Sequence, residues 1–305
     1  MQALKKGVFP TMITPYNQDG TIDFGAVRAI VDFYRERDVD GIFAVCQSSE
    51  MFYLTLEERV QLARAVVDAA GNDMEVIAAG HVSYTMDDQI KEMQAICDTG
   101  VKAAVLVSNR LAAQTESDDV WIANAETLIN ALGDTPLGVY ECPYPYKRLL
   151  SEKVLSWMAD SGRFAFIKDT CCNAELIARR IALLHEKGGT VGLYNANSAT
   201  MLATLRSGAA GFSGVMGNFH PELYTWLCRN WDKDSQRAEQ IQALLTAMSM
   251  YESFYPLNAK YHMNLVGVPM EMSTRNPGRD PLDQGQKDMV RQLLLLEDLA
   301  RSLIV

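Results

Sequence analysis

Two side chains that can act together on a carbonyl group stand at the ends of two apolar runs. Lys168 follows the run 164–167, and Tyr140, 28 residues upstream of it, ends the run 136–140. Apolar runs of this length between polar residues predict buried strands. Burial at a strand end would lower the pKa of the Lys168 amine and favour its attack on a carbonyl, while the Tyr140 phenol would move protons. The pair therefore indicates imine chemistry, although a strand-end lysine more often simply extends into solvent.

These two runs belong to a regular alternation of apolar and amphipathic segments. Eight short runs predict strands, at Gly7–Thr11, Gly41–Val45, Glu75–Ala79, Ala103–Val107, Pro136–Tyr140, Phe164–Lys168, Thr190–Tyr194 and Gly211–Val215. Eight amphipathic segments predict helices, at Phe24–Glu36, Thr55–Ala70, Met86–Thr99, Asp118–Leu132, Ser151–Asp160, Ala174–Lys187, Ala199–Ser207 and Pro221–Trp231. Strict alternation specifies a parallel sheet covered by helices, and eight units favour a closed barrel. No GxGxxG motif opens a helix, so dinucleotide binding lacks support.

The alternation stops near residue 231. We therefore predict an α/β fold in which residues 1–231 form a (β/α)8 TIM barrel and residues 232–305 form a C-terminal helical extension packed on it. The extension is predicted to contain helices at 236–254 and 283–304, joined by the Pro/Gly/Arg-rich segment 269–281. No linker typical of independent domains separates the two parts.

Composition indicates a soluble cytoplasmic protein. A net charge of −10 lacks the basic surface that nucleic acid requires. No segment reaches the roughly 18 apolar residues of a membrane span, and the N-terminus lacks a signal-peptide stretch. The six cysteines show neither metal-ligand nor disulfide spacing, and no two of the four histidines are paired at i, i+4. Free thiols in a reducing cytoplasm and no metal site are therefore expected.

Catalytic side chains of a parallel barrel lie at the C-terminal ends of its strands. The polar and reactive residues that follow the predicted strands are Thr14, Cys46–Glu50, His81, Asn109, Arg110, Tyr140–Pro143, Lys168–Thr170, Asn195, Asn197 and Ser213–Asn218. Short hydroxylated residues in a turn that opens a helix present several N–H donors to an anion, as Ser48 and Ser49 would. Helix capping is the alternative interpretation of the same two residues.

Four of these elements, in this order and spacing, resemble the dihydrodipicolinate synthase / N-acetylneuraminate lyase superfamily of class I pyruvate-dependent aldolases. They are Thr11–Pro15, Cys46–Glu50, Tyr140 at the end of strand 5 and Lys168 at the end of strand 6. The resemblance covers essentially the whole chain, including the stretch 211–218 and the C-terminal helices.

The resemblance implies a role for each residue. Lys168 would form an imine with the keto carbon of pyruvate or another 2-oxo acid, and Tyr140 would relay protons. Ser48 and the backbone amides of Ser48 and Ser49 would hold the substrate carboxylate, and the main-chain carbonyl near Ser213 would face the imine. No metal or organic cofactor would be needed, and a homotetramer built as a dimer of dimers would be expected.

The sequence departs from the family after strand 2. Both glycines of the usual signature are replaced, by Cys46 and Ser49, whereas Glu50 remains. Gln47 stands where synthases have a hydroxyl residue of a proton-relay triad. The stretch 108–113 lacks the tyrosine that a neighbouring subunit would donate to that triad. Two of the three relay members are therefore missing.

The loop after Tyr140 also differs from the synthases. They carry an arginine there for the carboxylate of aspartate semialdehyde, and the aligned position is near Pro145. Lys147 and Arg148 follow two or three residues late, and a positioned guanidinium is not replaced conservatively. Synthase activity is therefore disfavoured.

Sialate lyases bind the polyol tail of their substrate with carboxylates after strand 7. This chain offers Asn195 and Asn197, whose amides can still hydrogen-bond a polyhydroxylated 2-oxo acid. Glu141 has two equal interpretations, a hydrogen bond to a hydroxylated substrate or an ion pair with Arg110 or Arg148. Arg110 is also a candidate receiver for a distal carboxylate, although a surface or interface position is the more common one.

We therefore predict a Schiff-base aldolase, lyase or dehydratase that acts on pyruvate or a 2-oxo acid, with 2-keto-3-deoxy sugar acids ahead of sialic acid. The predicted substrate-binding residues are Gln47, Ser48, Ser49, Arg110, Glu141, Asn197 and Ser213. His81 is expected to be solvated, and Cys46 and Cys142 to be packing residues. A barrel that retains the lysine but only binds a 2-oxo acid is the alternative, and a barrel enzyme without imine chemistry would make both Lys168 and Tyr140 accidental.

Overall fold

The computed structural model of the chain describes residues 3–304, apart from the side chains of Tyr251 and Glu252. The end residues of the predicted barrel and extension, at positions 1, 2 and 305, lie outside this range. The strands are β1 (Gly7–Val8), β2 (Gly41–Phe43), β3 (Glu75–Ala79), β4 (Ala103–Val107), β5 (Leu137–Tyr140), β6 (Phe164–Asp169), β7 (Gly192–Asn195) and β8 (Gly211–Phe212). The helices are α1 (Phe24–Arg35), α2 (Leu56–Ala70), α3 (Met86–Cys97), α4 (Ser108–Leu111), α5 (Asp118–Ala131), α6 (Glu152–Ser161), α7 (Ala174–Glu186), α8 (Met201–Arg206), α9 (Pro221–Asn230), α10 (Ser235–Met248), α11 (Leu257–Leu265) and α12 (Gln284–Arg301).

The eight strands form one parallel sheet that closes on itself. Each strand pairs with its neighbour in sequence from β2 to β8, and β8 pairs with β1. A parallel bridge between Thr11 and Phe43 joins the first strand segment to the second. The predicted (β/α)8 barrel is confirmed. At the β1–β8 seam, a Cβ on Gly211 would lie 1.7 Å from the carbonyl oxygen of Gly7, so only glycine permits this close approach.

Strands β1 and β8 are shorter than the sequence predicts. Pro10 has no N–H, so it cannot donate to a ladder and the regular part of β1 ends before it. After β8 the chain turns into a single 3-10 segment at Val215–Asn218. The predicted strand core is therefore present in both places, but each strand ends early.

Aromatic side chains fill the barrel interior beneath its C-terminal mouth. The ring centroids of Phe166 and Tyr194 are 4.6 Å apart, and Phe9 meets Tyr194 edge-on at 5.1 Å. Phe43 bridges this cluster to Tyr140, with centroid distances of 5.9 Å to Phe166 and 5.8 Å to Tyr140. Aromatic pairs of this kind contribute about 0.5–1.5 kcal/mol beyond their buried area. They form a rigid floor under the residues at the ends of β5 and β6.

Three helices of the C-terminal extension pack around one another and against the barrel. The predicted helix at 236–254 ends at Met248 and continues as a 3-10 segment, whereas α12 lies within its predicted range. Helix α11 was not predicted, because its buried face carries Asn258, Lys260 and His262, which interrupt an apolar helical pattern. Within residues 3–304, no helix is long and apolar enough to cross a membrane.

A buried carboxylate ties α12 to the rest of the fold. Glu297 is fully buried, and its oxygens lie 3.0 Å from Nδ1 of His220 and 2.9 Å from Nε2 of His262. Arg301 donates to the same carboxylate at 3.0 Å. Burial alone would raise the pKa of Glu297, but His262 and His220 hold that pKa well below its usual value. The ionised carboxylate therefore joins α12, α11 and the start of α9.

We expect Glu297→Gln to destabilise the protein by about 3–5 kcal/mol at neutral pH, because it breaks a buried charge network. Since the pKa of Glu297 is lowered in the folded protein, this stability is present above the unfolded-state pKa of about 4.3 and is lost as the pH falls. Urea unfolding of both proteins at neutral and acid pH measures the difference. As a control, Glu239→Gln removes the exposed pair with Arg206 and should cost at most about 1 kcal/mol. Equal effects of the two variants would contradict the anchoring role.

Candidate active site

A cavity of about 510 Å³ opens at the C-terminal ends of the strands. Its size lies within the ~300–1,000 Å³ of small-molecule sites. Five of the predicted site residues line it together, namely Lys168, Tyr140, Gln47, Ser48 and Asn197. The other four predicted residues are not among its lining residues. The structure therefore brings the proposed imine lysine, its phenol and the carboxylate-binding turn into one space.

The lysine and the tyrosine are neighbours because β5 and β6 are paired. Tyr140 stands opposite Lys168 in the ladder, and the Nζ atom of Lys168 is 4.3 Å from the centre of the Tyr140 ring. The same Nζ atom lies 5.8 Å from the centre of the Phe43 ring below. Lys168 is only 4% exposed and lines the cavity together with Tyr140. An amine held in this position can meet a carbonyl carbon that enters from the mouth.

The Tyr140 phenol keeps its proton. Its hydroxyl donates to Oε1 of Gln47 at 3.3 Å, and the Cys142 thiol lies 3.5 Å from the same oxygen. Burial, and then the nearby Cys142, raise the pKa of Tyr140 well above its ordinary value. An amide oxygen accepts a hydrogen bond but does not pass a proton onward as a hydroxyl would. Tyr140 therefore presents a protonated hydroxyl at the cavity, hydrogen-bonded to an amide rather than to another hydroxyl.

The turn after β2 forms the second wall. Ser48 lines the cavity and donates its hydroxyl to Oγ1 of Thr11 at 3.0 Å. The Ser49 hydroxyl instead accepts from the backbone N–H of Cys46 at 2.5 Å and donates to the Cys46 carbonyl at 2.8 Å, so it closes the turn. Within residues 3–304, the backbone N–H groups of Ser48 and Ser49 donate to no backbone carbonyl. Ser48 lines the cavity, whereas Ser49 is fully buried and does not, so the anion-binding role of both amides stays a prediction.

Glu50, the last residue of this turn, connects the barrel to the C-terminal extension. It adopts a left-handed conformation with φ 62°, and its Oε2 atom accepts from the Thr274 hydroxyl at 2.7 Å. The backbone N–H groups of Arg275 and Asn276 donate to the same oxygen at 2.7 and 3.2 Å. Lys260 lies 3.7 Å from the other carboxylate oxygen, and burial lowers the pKa of this lysine to about 8 despite Glu50. The extension is thereby fixed beside the cavity.

The prediction that Glu141 contacts the substrate is wrong. Its carboxylate accepts from the backbone N–H of Leu150 at 2.7 Å and from that of Thr170 at 3.0 Å. Arg180 lies 3.0 Å away and also binds Asp169, so one guanidinium serves two buried carboxylates. Burial, and then Asp169, raise the pKa of Glu141 to about 7. Glu141 faces away from the cavity because side chains alternate along a strand and Tyr140, the residue before it, faces inward.

The ion pair predicted for Glu141 therefore exists, but with Arg180 rather than Arg110 or Arg148. Arg148 binds Asp118 at 3.2 Å on the outside of the barrel. The guanidinium of Arg110 lies over the ring of Tyr84, 4.3 Å from its centre, and does not line the cavity. The Arg110 guanidinium also lies 5.4 Å from the ring centre of Phe52, which does line the cavity, and its contact with a distal carboxylate stays a prediction.

Asn197 and Ser213 differ in their access to the cavity. Asn197 uses its Oδ1 atom to accept from the N–H and the hydroxyl of Thr200, both at 3.1 Å, and its NH2 group has no acceptor within the described range. Ser213 is buried behind the lining residues Gly214 and Val215. A substrate hydroxyl can therefore reach the Asn197 amide, while the role of the carbonyl near Ser213 stays a prediction.

His81 is a buried structural residue and not a solvated one. Its Nε2 atom lies 2.8 Å from the Gln89 side chain, and its Nδ1 atom accepts from the backbone N–H of Val107 at 2.9 Å. Burial lowers the pKa of His81 to about 4, so the ring is neutral at physiological pH. Cys46 and Cys142 are both buried, as packing residues are expected to be.

Other lining residues were not identified from the sequence. The sequence offers Lys147 only as a displaced substitute for the synthase arginine, yet it lines the cavity and donates from Nζ to the Thr170 carbonyl at 2.8 Å. Tyr255, Asn276 and Arg279 reach the cavity from the C-terminal extension. A positively charged residue in the loop after β5 is a sequence feature that could have predicted Lys147 as a lining residue. No pattern in the sequence places the extension over the mouth of the barrel.

A lysine at the end of β6 with a tyrosine at the end of β5, at the mouth of a (β/α)8 barrel, is the arrangement of a class I, lysine-imine carbon–carbon lyase. The chain belongs to the Dihydrodipicolinate synthetase family, whose model matches residues 4–295. The family and the enzyme class predicted from the sequence are thereby confirmed.

Curated relatives span nearly the full length of the chain. It is 26% identical over 299 residues to a 4-hydroxy-tetrahydrodipicolinate synthase of Anaplasma marginale (strain Florida), covering 97% of this chain and 96% of the relative. It is 25% identical over 302 residues to a probable 2-dehydro-3-deoxy-D-pentonate aldolase of Escherichia coli (strain K12), covering 96% and 97%.

Solved structures share the fold at lower sequence identity. A prophage protein of the dihydrodipicolinic acid synthase family from E. coli K12, in complex with pyruvate, superposes with a TM-score of 0.88 at 22% identity, covering 97% of this chain and 100% of that one. A sialic acid aldolase of Ruminococcus gnavus gives 0.86 at 17% identity, covering 98% and 99%. At these identities the likeness establishes the barrel architecture.

We expect Glu141→Gln to change the pH dependence of stability and to leave pyruvate binding unaltered. Because the pKa of Glu141 is raised from 4.5 to about 7, the folded protein retains a proton that the unfolded chain releases in this range. The stability from this group therefore falls as the pH rises from 4.5 to about 7, and the variant lacks that loss.

Urea unfolding at both ends of this pH range measures the difference between wild type and Glu141→Gln. Glu186→Gln, at an exposed position, is the control and should show no such pH dependence. A pH-independent difference for Glu141→Gln, or a weaker affinity for pyruvate, would contradict the buried structural role.

Proposed function

We propose that this protein is a Schiff-base aldolase or lyase whose substrate is a 2-keto-3-deoxy sugar acid. The observation that carries the proposal is the placement of Lys168, Tyr140 and Ser48 on the walls of one cavity. Each supplies a distinct requirement of the reaction, namely an amine nucleophile, a protonated phenol and donors for a carboxylate.

The reaction follows from these positions. The Lys168 amine attacks the keto carbon, and Tyr140 supplies a proton to the departing hydroxyl so that water leaves and a protonated imine forms. Ser48 and the free N–H groups of its turn hold the carboxylate beside that carbon. The Tyr140 phenolate left by imine formation takes the proton of the hydroxyl on the fourth carbon, while the imine withdraws the electron pair of the bond between the third and fourth carbons. That bond breaks to give an aldehyde and an enamine. Protonation of the enamine and addition of water then release pyruvate and regenerate the amine.

Two features favour a hydroxylated substrate over pyruvate with aspartate semialdehyde. The cavity of about 510 Å³ is much larger than pyruvate, and its wall offers the Asn197 amide to hydroxyl groups. The synthase relay has no counterpart here, because Gln47 accepts the Tyr140 hydrogen bond and α4 contains no tyrosine. The name of the E. coli pentonate aldolase relative points to the same substrate class. Sialate lyase-like and synthase-like activities, and dehydration in place of cleavage, are the alternatives.

We also propose a cytoplasmic homotetramer built as a dimer of dimers. All six cysteines are unpaired, as is usual in a reducing compartment. Arg110 is buried with its Nε and Nη1 atoms lacking acceptors in the described part of the chain, and its neighbour Tyr84 is 77% exposed. A second subunit packed on this surface would bury the exposed Tyr84 ring that lies over Arg110.

We expect incubation with pyruvate followed by borohydride to add one reduced pyruvyl group to the protein, located on Lys168 by peptide mapping. Lys168→Ala should abolish the adduct. Lys260→Met is the matched control, because Lys260 is also buried, with its pKa lowered to about 8, but does not line the cavity. An adduct on Lys260, or none on the wild type, would contradict the proposal. Calorimetric binding of pyruvate without any adduct would instead favour the non-catalytic barrel.

We expect Tyr140→Phe to lower the rate of 2-keto-3-deoxy sugar acid cleavage by about 10²–10⁴, the usual contribution of a positioned proton donor. Substrate binding should change far less, because the ring and its packing remain. Tyr194→Phe is the control: this tyrosine lies on β7, opposite Lys168 of β6, but its hydroxyl donates to the Lys5 carbonyl away from the cavity. Similar activity losses in both variants would show that Tyr140 acts only through packing.

A further inference from the structure

The cavity carries more positive than negative charge. Its charged lining residues are Glu50, Lys147, Lys168 and Arg279. The single carboxylate among them, on Glu50, is already engaged by three donors of the C-terminal extension and lies 3.7 Å from the ammonium of Lys260. Within residues 3–304, no other acidic side chain lines the cavity. Lys147 and Arg279 therefore face its interior without a neutralising partner in the wall.

Lys147 is exposed at the cavity, whereas the imine lysine, Lys168, is buried. Its Nζ atom donates to the carbonyl of Thr170 at 2.8 Å. Thr170 follows Lys168 by two residues, a separation of at most about 7 Å along an extended chain. An ammonium has three donors, so two remain for a ligand after the bond to Thr170. This cation is therefore positioned for the part of a substrate that extends beyond its keto carbon.

Arg279 approaches the same space from the C-terminal extension. The preceding segment is rigidly held, because Arg275 binds Glu58 through two bonds of 2.8 and 2.6 Å and its N–H donates to Glu50. Asn276 donates to Glu50 as well, and its carbonyl accepts the N–H of Arg279 at 3.3 Å. The Arg279 side chain is exposed at the rim and has no acidic partner in the described part of the chain. The backbone is thus anchored while the guanidinium stays available.

We propose that Lys147 and Arg279 form an anion subsite at the outer end of the cavity, which binds a second anionic group, a carboxylate or a phosphate, on the substrate end remote from the keto carbon. A guanidinium and an ammonium together suit both anions. This inference rests on the proposed function and narrows its substrate class to 2-oxo acids with an anionic tail. A diacid derived from a sugar and a phosphorylated sugar acid both belong to this class.

Calorimetric titration with matched ligands tests the subsite. 2-Oxoadipate and 2-oxohexanoate differ in a terminal carboxylate, and 2-keto-3-deoxy-6-phosphogluconate and 2-keto-3-deoxygluconate differ in a terminal phosphate. We expect the wild type to bind at least one anionic member about tenfold or more tightly than its neutral partner, and Lys147→Met and Arg279→Gln each to lose most of that ratio. Affinity for the neutral partners should stay within a factor of about two. If the anionic ligand binds more tightly than its neutral partner in only one of the two pairs, that pair shows whether the subsite takes a carboxylate or a phosphate.

Two exposed cations provide matched control variants, Lys153→Met and Arg291→Gln, which should retain the full ratio. Equal affinity within both pairs for the wild type, or a ratio that survives in both Lys147→Met and Arg279→Gln, would overturn the subsite. Titration of Lys168→Ala separates the two proposals, since the ratio requires no imine. A wild type that forms the pyruvyl adduct without preferring an anionic tail refutes the subsite alone, and one with the preference but no adduct refutes the proposed function alone.

Discussion

The backbone pairing of β5 with β6 determines whether this barrel has a reactive site at all. Leu137 pairs with Phe164 but Gly138 pairs with Phe166, so β6 contributes one extra residue at this point. Without that irregularity Tyr140 would stand opposite Ile167 instead of Lys168. A bulge of this kind re-aims side chains near active sites. Gly138 permits it, because a Cβ at this position would lie only 3.1 Å from the Phe166 side chain.

The remaining parts of the site are arranged around this pair by two different kinds of force. Below it, tightly packed aromatic rings fill the barrel floor and leave no space there for water. Above it, charged side chains hold a loop of the C-terminal extension in place. Glu50 binds the segment 274–276, and Arg275 forms an ion pair with Glu58. The buried guanidinium of Arg180 binds the carboxylates of both Glu141 and Asp169. It thereby fixes the loops that follow β5 and β6. The polar groups that surround the cavity thus serve mainly to build it.

The sequence predicted what depends on local pattern. Apolar and amphipathic periodicity defined the barrel, and strand ends located Lys168, Tyr140 and the turn that carries Ser48, because parallel strands present their C-terminal ends on one face. The orientation of Glu141 follows from the alternation of side chains in extended chain, since Tyr140 directly before it faces the cavity. Contacts between distant segments had no such signal. Arg279 and the unpredicted helix α11 depend on how the extension folds over the barrel, which no local pattern encodes.

The division of the site between strands and extension has an evolutionary consequence. Lys168 and Tyr140 are held by the barrel ladder, whereas Arg279 is carried by a loop that is joined to the barrel by the hydrogen bonds of Glu50 and Arg275. Insertions and exchanges in loops are tolerated far better than changes in a barrel core. Sequence changes in the one short segment that carries Arg279 can therefore alter the substrate during evolution, while Lys168 and Tyr140 continue to break the same kind of bond.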